Sequence, residues 1–282
     1  MEYAIEIKGL TKKYADFTLD HVSFSLPAGC IMGLIGENGA GKSTIIKLIL
    51  NLIHNDGGEV RVFGNILNDS QIRIKENIGV VFDESGFPDN LCINDINIIM
   101  QNIYTTWDKN RFMKYTTKFA LPERKAVKDY SRGMKMKLSI AVALSHDSKL
   151  LILDEATSGL DPIIRDEILD VFLEFIQDET HSILISSHII SDLEKICDYI
   201  TFVHNGRLFF CEGKDTLKNM YGILKCSSSQ FEQLDKNIVK GYRKNSFGVE
   251  ALVLKNKASA DLIVDPASIE DIMLFCVKEN TR

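Results

Sequence analysis

The sequence has no apolar run long enough to cross a membrane, no close cysteine pair and no excess of basic charge. Nothing approaches the ~18 consecutive apolar residues of a membrane-spanning helix. The best candidate, Ile45 to Ile53, is short and interrupted by Lys47. Met1 to Lys8 alternates polar and apolar residues as a strand does and shows no export signal. These absences predict a cytoplasmic protein whose membrane role, if it has one, comes through a partner chain. The six cysteines (Cys30, Cys92, Cys197, Cys211, Cys226, Cys276) are scattered through apolar contexts, with no Cys-x-x-Cys and no histidine at metal spacing. They read as buried thiols in a reducing compartment. The formal net charge of −6 weighs against a nucleic-acid-binding surface, so no nucleic-acid partner is expected. Internal repeats and low-complexity tracts are absent as well.

What is present centres on Gly36-Glu37-Asn38-Gly39-Ala40-Gly41-Lys42-Ser43-Thr44, which fits the phosphate-binding pattern G-x-x-x-x-G-K-[ST]. The apolar run Cys30 to Ile35 before it reads as a buried strand, and Ile45 to Ile53 after it as a helix. Strand, glycine loop and helix turn the pattern into a mechanism. Glycines let backbone N–H groups curl around phosphate oxygens, and the helix N-terminus adds partial positive charge. Lys42 places a point charge on the outer phosphates, and the Ser43 hydroxyl can bind Mg²⁺.

With 282 residues, 45% hydrophobic and 26% charged, the chain can bury a sizeable core in roughly two domains. Tyr3 to Lys8 is expected as an edge strand, Phe17 to Leu26 as another, and Glu59 to Phe63 and Ile78 to Phe82 as further strands. A helical stretch is expected over Ile93 to Ala120 with a break near Trp107-Asp108, then a helix from Ser131 to Leu144. Leu150 to Leu153 and Ile183 to Ile185 are short apolar strands, and Pro162 opens an amphipathic helix between them. Ile189 to Ile196 reads as a helix, and Asn205-Gly206 as a hairpin turn. Buried strands alternating with helices predict an α/β fold with a largely parallel sheet. Gly222 to Lys257 is less regular, Ser227-Ser228-Ser229 reads as a loop, and Asp265-Pro266 as the cap of a final helix.

Four further constellations follow the glycine loop. An apolar strand ending on Asp154-Glu155 suits Mg²⁺ binding by Asp154 and activation of water by Glu155. Strand alternation points Glu155 away from Asp154. Tyr130-Ser131-Arg132-Gly133-Met134-Lys135 places a hydroxyl and a glycine at a helix start, an anion-binding cup or an ordinary cap. Ser158-Gly159-Leu160-Asp161-Pro162 is a turn before a helix. His188 follows a strand, and a lone histidine there is more often structural than catalytic.

In this order, over Ile5 to Cys211, these elements resemble the ATP-binding subunits of ABC transporters. Leu151 to Pro162 looks like that family's Walker B strand running into its D-loop, Tyr130 to Met134 like its signature motif, and His188 like its switch histidine. Tyr14 matches the aromatic residue that stacks on adenine. The resemblance implies a P-loop NTPase core with an antiparallel β edge region and a helical subdomain about 84–145, together spanning 1–212. A linker and small C-terminal α/β appendage, 213–282, would follow. It implies ATP and Mg²⁺ bound between two subunits, in a homodimer or a heterodimer with a second ABC ATPase. Gly36 to Thr44, with Tyr14, would act from one subunit, and Ser131, Gly133 and Asp161 would complete the site. Lys42, Glu155 and His188 would be catalytic; Ser43, Asp154 and Asp83 would hold the metal. A membrane-spanning permease would hold the protein on the inner face of the membrane.

This chain departs from the family pattern at four positions. Arg132 replaces a glycine, Met134 a glutamine, Asp83 the glutamine that senses Mg²⁺ and contacts the membrane subunit, and Ala156 a proline. The variants around Ile78 to Pro88 and Tyr130 to Lys135 look most like bacterial export-type ATPases, including those of antibiotic or peptide efflux. A non-transport ATPase of the superfamily is the alternative. The DNA-repair type would need a long heptad insert, for which Ile45 to Asp129 is too short and irregular. The ribosome type usually carries tandem cassettes, and only one P-loop is present. A GTPase would need N-K-x-D, which is absent. A small-molecule kinase would need neither the Ser131 motif nor Glu155 beside Asp154.

Overall fold

The computed structural model describes residues 2–67, 71–84, 86–246, 248–259 and 262–279. The chain separates into two compact units, Met1–Phe210 and Cys211–Arg282. In the first, the elements run β1 (Tyr3–Lys13), β2 (Thr18–Pro27), β3 (Ile31–Ile35), α1 (Lys42–Ile49), β4 (Gly57–Val62), β5 (Asn65–Ile66), α2 (Ile72–Glu76) and β6 (Ile78–Val81). Then come α3 (Ile93–Ile103), α4 (Lys109–Lys118), α5 (Arg132–Ala143), β7 (Leu150–Asp154), α6 (Pro162–Phe175), β8 (Ser182–Ser186), α7 (Ile190–Ile196), β9 (Tyr199–His204) and β10 (Arg207–Gly213).

A six-stranded sheet in the order β10-β9-β3-β8-β7-β6 carries the core. From β9 to β6 its neighbours pair in parallel. Every residue of β3, β7 and β8 is buried, as in strands covered on both faces. Each buried Ile or Leu contributes about 1.5–3 kcal/mol, so the register is firmly set. It lays Asp154 beside Ser186.

The second sheet is antiparallel, in the order β2-β1-β4-β5. Here the expected edge strand is corrected: β1 runs on to Lys13 and lies between β2 and β4. Half-burial gives a middle strand and an edge strand the same alternation, and both partners lie later in the chain. The predicted helix over Ile93 to Ala120 divides into α3 and α4, and Asp108 caps the latter by accepting the Arg111 N–H at 2.9 Å. The helix after the glycine loop begins at Lys42 and ends at Ile49, earlier at both ends than its apolar period suggests. Ser131 caps α5 and Asp161 caps α6, each such cap being worth about 0.5–2 kcal/mol.

His146, after α5, is almost fully buried and stacks on Tyr104 with centroids 4.0 Å apart. Its Nδ1 donates to the Glu76 carbonyl at 2.8 Å. Burial, the largest influence, pulls its pKa below the ordinary 6.5, so the neutral ring is the folded form. Because the folded value is the lower one, this stability is full above pH 6.5 and drains as pH falls through the folded value. Unfolding free energy is therefore expected to fall between pH 7.5 and 5.5 more steeply in the wild type than in His146→Gln; chemical denaturation at both pH values checks it.

The second unit continues with α8 (Lys214–Met220), β11 (Tyr221–Cys226), α9 (Ser228–Gln233), β12 (Val239–Asn245), β13 (Gly248–Leu254), β14 (Val264–Pro266) and α10 (Ile269–Glu279). Its sheet is ordered β12-β13-β11-β14. Three sequence expectations are corrected here. The stretch Gly222 to Lys257 is regular, supplying most of β11 and all of β12 and β13. Ser227 is no plain loop residue: it accepts the Gln230 N–H at 3.2 Å while Gln230 Oε1 accepts its own N–H at 2.9 Å, a capping box for α9. Asp265 and Pro266 belong to β14, and Ser268 and Asp271 instead make the reciprocal bonds at the start of α10. Leu224, Phe231, Val249, Ala251 and Val253 form the core of this unit.

Candidate nucleotide site

β3 delivers the chain into the glycine loop, which is packed too tightly for side chains at two points. A Cβ on Gly36 would lie 2.4 Å from the Val203 carbonyl oxygen, and one on Gly41 3.0 Å from Phe17 Cζ. Gly39 and Gly41 have φ of +82° and +112°, values that favour glycine. No side chain caps α1, so the first N–H groups of the helix face outward over the loop.

Lys42 is buried, and its ammonium donates to the Gly36 carbonyl at 2.8 Å and the Glu37 carbonyl at 3.3 Å. It lies 3.3 Å from Glu155 Oε1. Asp154 ends β7, buried, with Oδ1 accepting from the Ser186 hydroxyl at 2.6 Å. Glu155 then leaves the strand with φ +53°, the left-handed region. Its N–H is held by the Ser186 carbonyl and hydroxyl, each at 3.1 Å. The alternation expected of a strand therefore stops at Asp154, and this turn aims Glu155 at two cations or donors. His188 Nδ1 lies 2.7 Å from Glu155 Oε2, completing the row Lys42–Glu155–His188.

Tyr14 stands half-exposed just past β1, its ring 6.4 Å from that of Phe17, which covers Gly41. Phe17 and Ser186 are members of the site that the sequence did not single out. Ser186 is marked only by its register beside Asp154, a pairing between residues 32 apart in the chain.

A second group gathers around the start of α5. Ser131 Oγ accepts the Met134 N–H at 3.2 Å, and a Cβ on Gly133 would lie 2.9 Å from Ile164 Cδ1. Asp161 Oδ1 accepts the N–H groups of Ile163 and Ile164, both at 3.1 Å. Arg132 packs over Gly159, where a Cβ would lie 2.9 Å from its Nη1. The Arg132 guanidinium also pairs with Asp83. Asp83, expected among the metal ligands, thus meets the turn at the start of α5, and two of the departures from the family pattern form one ion pair.

The glycine-lined cradle, buried ammonium and uncapped helix start fit a triphosphate. The Ser43 hydroxyl and Asp154 carboxylate are the hard oxygen donors that suit Mg²⁺. Glycine loop, buried lysine and acidic strand end, on a parallel sheet, define a P-loop nucleoside triphosphatase.

Comparison with known proteins narrows that class. The ABC transporter family model matches residues 19–158. The bacitracin transport ATP-binding protein BcrA of Enterococcus faecalis is 37% identical over 211 residues, 74% of this chain and 68% of that one. The lantibiotic transport ATP-binding protein SrtF of Streptococcus pyogenes is 34% identical over 77% of this chain and 93% of its own length. A solved ATP-binding subunit of an ABC transporter superposes with a TM-score of 0.69 at 26% identity, over 76% of this chain and 92% of that one. The chain belongs to the ABC transporter family, as one of its ATP-binding, ATP-hydrolysing subunits.

Proposed function

We propose that this subunit powers export of a peptide antibiotic through a separate membrane permease, held on the cytoplasmic face by that partner. The observation that carries the catalytic part is the position of Glu155. Its carboxylate is shared between Lys42 at 3.3 Å and His188 at 2.7 Å, at the mouth of the glycine loop. Lys42 and the amides of Gly36 to Thr44 bind the phosphate tail, and Tyr14 stacks on the base. Ser43 and Asp154 hold Mg²⁺, which when bound neutralises charge on the phosphates. Glu155 accepts the proton of the attacking water at a carboxylate oxygen, and His188 fixes the rotamer that receives it. Ser131, Gly133 and Asp161 complete the site from a second copy or a sister ATPase. Arg132 holds Asp83 within its own subunit.

The identity to proteins named for bacitracin and lantibiotic transport supports a peptide cargo. The signature and Asp83 variants, read as export-type, agree with it. Cells lacking this chain are expected to lose tolerance to bacitracin or a lantibiotic, with recovery by the wild type but not by Glu155→Gln. Minimal inhibitory concentrations check it. Unchanged tolerance to both classes removes the peptide cargo and leaves the ATPase assignment standing.

A further inference from the structure

Two turns of the first unit interlock through a pair of glycines, and the proposed chemistry leaves the polar half of that lock unused. Gly133, at the start of α5, receives apolar side chains from the other turn. A Cβ there would lie 2.9 Å from Ile164 Cδ1, 3.6 Å from Ile164 Cγ2 and 3.9 Å from Leu160 Cδ2. Gly159, in the turn before α6, receives a side chain from α5 in return. A Cβ there would lie 2.9 Å from Arg132 Nη1, 3.0 Å from its Cζ and 3.4 Å from its Nε. These nearly equal distances put that point over the face of the guanidinium, not beside its edge. The edge is used elsewhere: Arg132 Nη2 donates to Asp83 Oδ1, in the segment after β6. One side chain thus links the start of α5, the turn before α6 and the segment after β6.

Both members of the ion pair are half-exposed, at 52% and 49%, and an exposed pair adds little to stability. What this pair adds is orientation. A guanidinium is a rigid plane, so a carboxylate held at one edge fixes the face that lies on Gly159. A lysine, a point charge on a flexible stem, could meet Asp83 but would offer Gly159 no flat face. The chain neighbours of Arg132 are Ser131 and Gly133, and Asp161 lies two residues beyond Gly159. Apolar packing at Gly133 and the guanidinium at Gly159 therefore set the spacing between Ser131 and Asp161.

We infer that Arg132 is a positioning residue with Asp83 as its counter-ion: together they fix the Ser131–Gly133 turn against the Gly159–Asp161 turn. The inference rests on the reading that these turns complete the nucleotide site of a second copy or a sister ATPase. A misplacement of about 1 Å costs up to about 100-fold in rate. In the full-length chain, Arg132→Gln is therefore expected to lower kcat for ATP hydrolysis about tenfold. ATP affinity, measured by calorimetry, is expected to stay within about twofold, since Arg132 lies outside its own glycine loop. Asp83→Asn should lower kcat as well, with no change in the Mg²⁺ concentration that gives half-maximal rate. The double variant should be no slower than Arg132→Gln alone, because the two residues act as one unit. Arg132→Lys should recover only part of the lost rate. A kcat within about twofold of wild type in Arg132→Gln overturns the inference, being too small for a misplaced turn. So do additive losses in the double variant, or a wild-type rate in Asp83→Asn. A raised Mg²⁺ requirement in Asp83→Asn also overturns it, by making that carboxylate a metal ligand. Should Arg132→Gln fail to fold, Arg132→Lys decides: a wild-type rate there overturns the inference. Glu155→Gln separates the two readings, because a monomer at saturating ATP in that variant removes the shared site whatever Arg132 does.

Discussion

Glu155→Gln is expected to bind ATP with wild-type affinity and to lose steady-state turnover by about 10²–10⁴-fold, the usual contribution of a positioned base. The change removes one negative charge and leaves the shape. Lys42 then loses the Glu155 carboxylate, yet it keeps the Gly36 and Glu37 carbonyls at 2.8 and 3.3 Å, so the cradle stays intact. His188 Nδ1 can still donate to the amide oxygen of glutamine, so orientation survives while basicity is gone. With ATP bound and uncleaved, the variant should accumulate as a closed dimer. Phosphate release and light-scattering mass, each with ATP and with ADP, check both halves. Full activity removes Glu155 from the base role, and a monomer at saturating ATP removes the shared site.

Lys42→Ala is expected to weaken ATP binding by about 10- to 150-fold, since hydrogen bonds to charged groups are worth about 1.5–3 kcal/mol. The substitution has a second effect beyond the lost phosphate contact. The buried ammonium is what bridges the loop carbonyls to Glu155. Without it, two carbonyls and a carboxylate share a desolvated pocket with no cation between them, and the loop loses the shape that presents its amides. Titration calorimetry with ATP reads the affinity, and unchanged binding undoes the glycine-loop assignment.

The parts of the site that were legible in the sequence are those made within one short stretch of chain. Gly36 to Thr44 needs only its own glycines, lysine and the helix behind it, and Ser131 and Asp161 are caps recognisable from the residues that follow them. Lys42 meeting Glu155, and Ser186 gripping both Asp154 and the Glu155 amide, depend instead on which strands lie side by side. Sheet order is set by burial across the whole unit, which no local pattern records. The same reason hid the central place of β1. In the second unit the difficulty was different. Strands β11 and β12 carry Gly222, Lys225, Lys240, Gly241 and Lys244, residues that weaken a strand signal, and a neighbour's backbone explains one of the glycines: a Cβ on Gly241 would lie 2.3 Å from the Phe275 carbonyl oxygen. Asp83 and Arg132 stood out one at a time as departures from a family pattern, and only the structure shows them as one pair.

The left-handed backbone at Glu155 has a consequence for anyone who alters this protein. A non-glycine residue there costs the fold about 1–3 kcal/mol. Glycine at that position would relieve the strain and silence the chemistry in one step. Because the same carboxylate partners the buried Lys42 ammonium, glycine would also leave that cation without its counter-charge, so the strained turn cannot be relaxed at no cost to the loop it supports.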